Sequence, residues 1–164
     1  MDLQDRYLNC AAVKHMFAAG EVERGEAVAG LFTKEGNGLN NLYAMQATWY
    51  ETSCGRGHLS RGEFGLALKK LMSVFKHFSD YIEDQYDFHT YCLRKMTLRA
   101  YVDMLRMVDG IYGQGEFHEA ARVACGALVE VADRPELRRS PEEVEEAKLA
   151  GMSKVRGGGV GWGG

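Results

Sequence analysis

Residues 49–78 read WYETSCGRGHLSRGEFGLALKKLMSVFKHF. Phe64, Ala67, Leu68, Leu71, Val74, Phe75 and Phe78 fall three or four residues apart, a spacing that lays them on one face of an α-helix. Immediately upstream, Gly62 ends another apolar-periodic run that holds Trp49, Tyr50 and Gly55. Glycine tolerates the left-handed backbone conformation that closes a helix, so the stretch predicts two helices joined by a tight turn.

The turn has relatives in the chain. Gly20, Val22 and Gly25, then Gly62, Phe64 and Ala67, then Gly115, Phe117 and Ala120 repeat one pattern of glycine, bulky apolar residue and small residue. In a tetratricopeptide repeat such a glycine closes the hairpin, the bulky residue fills the space beneath it, and the small residue lets the helices approach. The intervals from Gly20 to Gly62 and from Gly62 to Gly115 both exceed the usual period of about 34 residues, so the repeats are divergent. The expected fold is an all-α, tetratricopeptide-like antiparallel helical-hairpin solenoid over residues 1–133, followed at 134–164 by a charged short helix and a disordered glycine-rich tail.

Further helices are expected from Leu3 to Ala19, Val22 to Phe32, Leu39 to Leu59, and Glu116 to Val131. Another is expected from Asp87 to Tyr112, with Asp87 as N-cap and Leu98, Tyr101, Val102, Leu105, Val108 and Tyr112 as a buried stripe. No proline precedes Pro135, which favours long helices over short strands. Ser140-Pro141-Glu142-Glu143 has the residues of a capped helix start. The run from Gly157 to Gly164 has too little side chain to offset the entropy of ordering.

Composition narrows the function. With 46% hydrophobic and 26% charged residues the chain is an ordinary globular protein, and its net charge of −3 gives no general reason to bind DNA or an acidic membrane. No stretch reads as a signal peptide or a membrane span, so a cytoplasmic location is expected. Cys10, Cys54, Cys92 and Cys125 form no CxxC pair and are expected to be reduced, buried thiols.

His89 and Cys92 stand three apart on an expected helix but lack the further ligands of a metal site; they are expected to pack, and no metal residues are assigned. His15, His58, His77 and His118 have no carboxylate or nucleophile at a catalytic motif spacing, and no phosphate-loop motif accompanies the 20 glycines. Gly55-Arg56-Gly57 is expected inside a helix, as packing glycine. Basic residues gather at Lys69, Lys70 and Lys76 and at Arg94 and Lys95; a solvated helix face is the ordinary reading, a polyphosphate site the sharper one.

Three segments then carry a family resemblance. Gln85-Tyr86-Asp87-Phe88-His89-Thr90-Tyr91-Cys92-Leu93-Arg94-Lys95-Met96-Thr97-Leu98-Arg99-Ala100-Tyr101-Val102-Asp103, the opening Asp2-Leu3-Gln4-Asp5-Arg6-Tyr7, and the run from Phe64 to Lys70 resemble, in collinear order, the auxiliary subunit family of the N-terminal acetyltransferase A complex. The resemblance implies a tetratricopeptide scaffold without catalytic residues of its own, a catalytic N-acetyltransferase subunit as partner, and ribosome docking through the full complex. It also implies inositol hexakisphosphate as a ligand, for which Lys69, Lys70, Lys76, Arg94 and Lys95 are the candidate contacts. The family subunit is several times longer, so the chain reads as an internal fragment or an incomplete gene product. The alternative is a free-standing adaptor that clamps a peptide or chaperone tail in a repeat groove; Asn9 and Lys14 suit such a clamp, whereas Glu51 and Gly55 do not.

Overall fold

A computed structural model describes residues 5–31, 33, 38–83, 85–95 and 97–138. The expected helix at Ser140, the glycine-rich tail and the opening residues 2–4 lie outside them. Two compact units are distinguished, residues 1–128 and 129–164. The described residues are mostly helical, with no strand among them, and no described helix is long and apolar enough to cross a membrane.

The first hairpin joins α1 (Arg6–Ala18) to α2 (Val22–Gly30). Asp5 caps α1, its carboxylate accepting the Leu8 N–H at 2.9 Å, and Asn9, Val13 and Phe17 recur every four residues as its buried face. At the turn Gly20 has φ +76°; its N–H bonds to the Phe17 carbonyl and the Glu21 N–H bonds to that of Met16. This double closure satisfies carbonyls that the helix end would leave unpaired. Gly62, at φ +75°, closes the second hairpin in the same way, between α4 (Thr48–Ser60) and α5 (Phe64–Glu83). The small-residue positions behave as expected. A Cβ on Gly25 would stand 2.6 Å from the Phe17 ring, and Ala67 is completely buried.

Two expected helices are broken. The stretch from Leu39 to Leu59 is α3 (Gly38–Ala44) followed by α4, because Gln46 adopts φ 53° and closes α3 with the hydrogen bonds that glycine makes elsewhere: its N–H to Tyr43 and that of Ala47 to Leu42. The expected long helix from Asp87 is α6 (Gln85–Lys95) and α7 (Leu98–Asp109). At their junction the Thr97 N–H reaches back to the Cys92 carbonyl, and Thr97 leaves the helical region at ψ 47°. Asp87 therefore lies within α6 and is not an N-cap.

The third turn also differs. Gly115 is the first residue of α8 (Gly115–Asp133), not a helix end, and is not among the positive-φ glycines; a short 3-10 turn at Ile111–Gly113 precedes it. Phe117 and Ala120 nevertheless do what the pattern predicts. Ala120 and Ala124 are buried against Leu71 and Val74 of α5, and the Phe117 ring lies 5.1 Å from Phe75 and 5.2 Å from Phe78. Thus α8 packs on α5, and α6 and α7 are inserted between them.

A separate core joins the first hairpin to α4 through Val13, Phe17, Val22, Ala29, Leu42, Tyr50 and Cys54. The expected buried stripe of α7 is only partly covered: no residue of the helix is buried, Tyr101, Leu105 and Val108 are half-buried, and Leu98 and Val102 are 55% and 41% exposed. Tyr112 is likewise exposed.

Candidate interaction site

Helices α1, α4 and α8 border an open cavity of about 360 Å³. Lys14 projects from α1, Thr48, Trp49, Thr52, Ser53 and Arg56 from α4, and Glu116 and Glu119 from α8. The Lys14 ammonium stands 5.5 Å from the Trp49 ring centroid, a cation–π contact, and Arg56 pairs with Glu119 at 2.6 Å across the groove. The groove is thus mixed in charge, with one aromatic platform. Of the residues considered for a peptide clamp, only Lys14 lines it: Asn9 is buried, Glu51 is buried, and Gly55 faces Leu71, to which an added Cβ would come within 3.0 Å.

Behind the groove lies a polar cluster between α2, α4 and α5. One oxygen of Glu26 accepts from the Tyr50 hydroxyl at 3.0 Å and the Lys70 ammonium at 2.8 Å, and the Cys54 sulfur lies 3.6 Å from it. Burial pushes the Glu26 carboxyl up, but the hydrogen-bonded Lys70 charge outweighs it and holds the group below the ordinary value. Burial pushes the Tyr50 hydroxyl up as well, and the Cys54 thiol up to about 12. Cys54 is therefore a protonated thiol within the core at neutral pH. Ligand atoms of Glu26, Cys54 and His58 all lie within 4.8 Å of one another.

A second buried carboxylate pairs with an imidazole. Glu51 Oε1 is 2.9 Å from His77 Nε2, both residues are almost fully enclosed, and the Tyr43 ring packs 4.7 Å from that of His77. Glu51 Oε2 is buried without a hydrogen-bond partner. Burial raises the Glu51 carboxyl, the bond to His77 opposing it only in part. At the α4–α5 turn, His58 Nδ1 is 2.7 Å from Glu63, while Arg61 bridges Glu63 and Glu23.

The basic residues singled out in the sequence take different surroundings. Lys70 turns inward to Glu26 and packs over the Tyr50 ring at 5.1 Å, and Lys76 pairs with Asp80. Lys69, Arg94 and Lys95 are exposed, Arg94 lying 5.9 Å from the Tyr91 ring centroid. Cys92 is buried, and His89 bonds through Nδ1 to the Tyr101 hydroxyl. The expectation of buried thiols holds for Cys54 and Cys92; Cys10 is half-buried and Cys125 exposed. Sequence reasoning missed the Glu26 cluster. Its one available signal was the recurrence of Tyr50, Cys54 and His58 every fourth residue on α4, where an apolar stripe would be ordinary.

Comparison with known proteins places this arrangement. A family model described as "N-terminal acetyltransferase A, auxiliary subunit" matches residues 1–156. The N-terminal acetyltransferase A complex auxiliary subunit NAA15 of Arabidopsis thaliana is 45% identical over 95% of the chain, and N-alpha-acetyltransferase 16, the NatA auxiliary subunit of Homo sapiens, is 39% identical over 87%. The chain spans only 17% of the length of each relative. Among solved structures, a chain of "Structure of Naa15/Naa10 bound to HypK-THB" superposes with a TM-score of 0.77 and 37% identity, over 90% of this chain and 23% of the other. Since sequence and overall fold match one family over nearly the whole length, the chain belongs to the auxiliary subunits of N-terminal acetyltransferase A.

Proposed function

We propose that the chain supplies a non-catalytic stretch of helical scaffold that holds the catalytic acetyltransferase subunit of an N-terminal acetyltransferase A complex. The carrying observation is the match of residues 1–156 to the auxiliary-subunit family, supported by the likeness to a Naa15 chain solved with Naa10. The groove between α1, α4 and α8 is the surface offered for that partner. Its glutamates, Glu116 and Glu119, weigh against a clamp for acidic peptide tails. Cytoplasmic location and ribosome docking through the complete assembly belong to the same proposal.

Inositol hexakisphosphate fits the residues present only in part. Lys70 and Lys76 are already neutralised by Glu26 and Asp80, whereas Lys69, Arg94 and Lys95 are exposed and pair with no carboxylate among the described residues. Those three are proposed as its contacts on this chain.

Co-expression with a Naa10-type subunit tests the reading. The two are expected to co-elute in size exclusion, and Arg56→Glu is expected to weaken the complex. A helical chain that never co-elutes overturns the proposal. The chain alone is expected to show no turnover with acetyl-CoA and a Ser-starting peptide.

A further inference from the structure

The cluster behind the groove combines three metal-binding chemistries. Glu26 on α2 offers a carboxylate oxygen, and Cys54 and His58, one helical turn apart on α4, offer a sulfur and an imidazole nitrogen, all within 4.8 Å of one another. Cys54 is wholly buried and His58 is 7% exposed. The His58 Nδ1 contact with Glu63 leaves Nε2 as the free donor, and Arg61 fixes Glu63 from behind at 2.8 Å. Metal-bound histidines are oriented by such a carboxylate on the other ring nitrogen. Sulfur, nitrogen and oxygen together suit a borderline-soft ion that accepts four-coordination.

We propose that Glu26, Cys54 and His58 form a latent site for a zinc-class divalent metal ion, kept closed by the Lys70 ammonium. Lys70 sits 2.8 Å from Glu26 and 3.3 Å from the Tyr50 hydroxyl, giving the cluster a single positive charge. A dication supplies two, enough to neutralise a carboxylate and a thiolate together. On entry of the metal, the Cys54 thiol releases its proton to solvent, the Cys54 sulfur, a His58 nitrogen and a Glu26 oxygen supply three ligands and a water the fourth, and Lys70 leaves still protonated; nothing is oxidised or reduced. The side chains of Lys70 and Glu26 are each 24% exposed, so the ammonium has an outlet and the ion an entrance.

Titration of the full chain with Co2+, under reducing conditions, reads the site directly. A thiolate-to-cobalt charge-transfer band is expected at about one equivalent, retained in Cys125→Ser and lost in Cys54→Ser. Cys54→Ala, which suits a buried apolar position better, repeats the loss if serine impairs folding. Glu63→Gln is expected to weaken binding about tenfold through the second coordination sphere. Lys70→Met removes the competing charge and is expected to tighten binding about tenfold. Absence of the band from both the parent and Lys70→Met overturns the site, as does a band that survives the loss of Cys54. Unchanged affinity in Lys70→Met overturns the closing role of the lysine.

Discussion

Helices α5 and α7 carry equally clear helical periodicity, yet α5 buries its apolar face and α7 leaves its own only partly covered. In α5, Phe64, Ala67, Leu71 and Val74 are enclosed by α4 and α8, whereas α7 leaves Leu98 and Val102 uncovered. Periodicity reports that a face is apolar; what covers it depends on which helices return to it. Here α8 returns to α5; α6 touches α5 and buries Cys92, whereas α7 is left without a fully buried residue.

The sharpest test of that contrast is truncation on each side of it. Leu71→Ala is expected to cost about 3 kcal/mol by leaving a cavity, against less than about 0.5 kcal/mol for Leu98→Ala, both read by urea denaturation. Equal losses would mean that α7 is covered after all. Ala67→Phe should cost about 2 kcal/mol, since its site has no room for a ring beside α4. An unchanged melting temperature would remove Ala67 from the helix contact.

Two glycines that look alike in sequence separate next. Gly62→Ala forces a side chain into φ +75° and should cost about 1 kcal/mol, whereas Gly115→Ala, on an open helical start, should be neutral or stabilising by about 0.5 kcal/mol. The smallest effect is a pH dependence. Burial raises the Glu51 carboxyl above its ordinary 4.5, so its protonated form favours folding; that contribution is complete below 4.5 and is lost as the pH rises through the raised value. Glu51→Gln keeps an acceptor for His77 and should melt above the parent at neutral pH, the advantage shrinking as the pH falls towards 4.5. A constant difference across that window would place the carboxylate's cost elsewhere.

These contrasts also mark what was legible in the chain. Gly20 and Gly62 announced their turns because a single residue type relieves the steric cost of positive φ. Gln46 makes the same turn without that signature, and Thr97 interrupts a helix that its neighbours favour, so both breaks were hidden. The third triplet misled at Gly115 but not at Phe117 and Ala120, whose size requirements survive a change of turn. Of the candidate basic site, the charges were legible and their partners were not: Lys70 meets Glu26 from a helix 44 residues away in sequence, a pairing that no local pattern encodes.

The return of α8 to α5 has a kinetic and evolutionary side. Phe78 and Phe117 meet only after the whole α6–α7 insertion has been looped out, so this contact is among the less local that folding must make. Loop-closure entropy grows slowly with length, about 0.6 kcal/mol per doubling. The insertion is therefore a tether whose length can drift at little thermodynamic cost, while the aromatic contact that closes it has no such freedom.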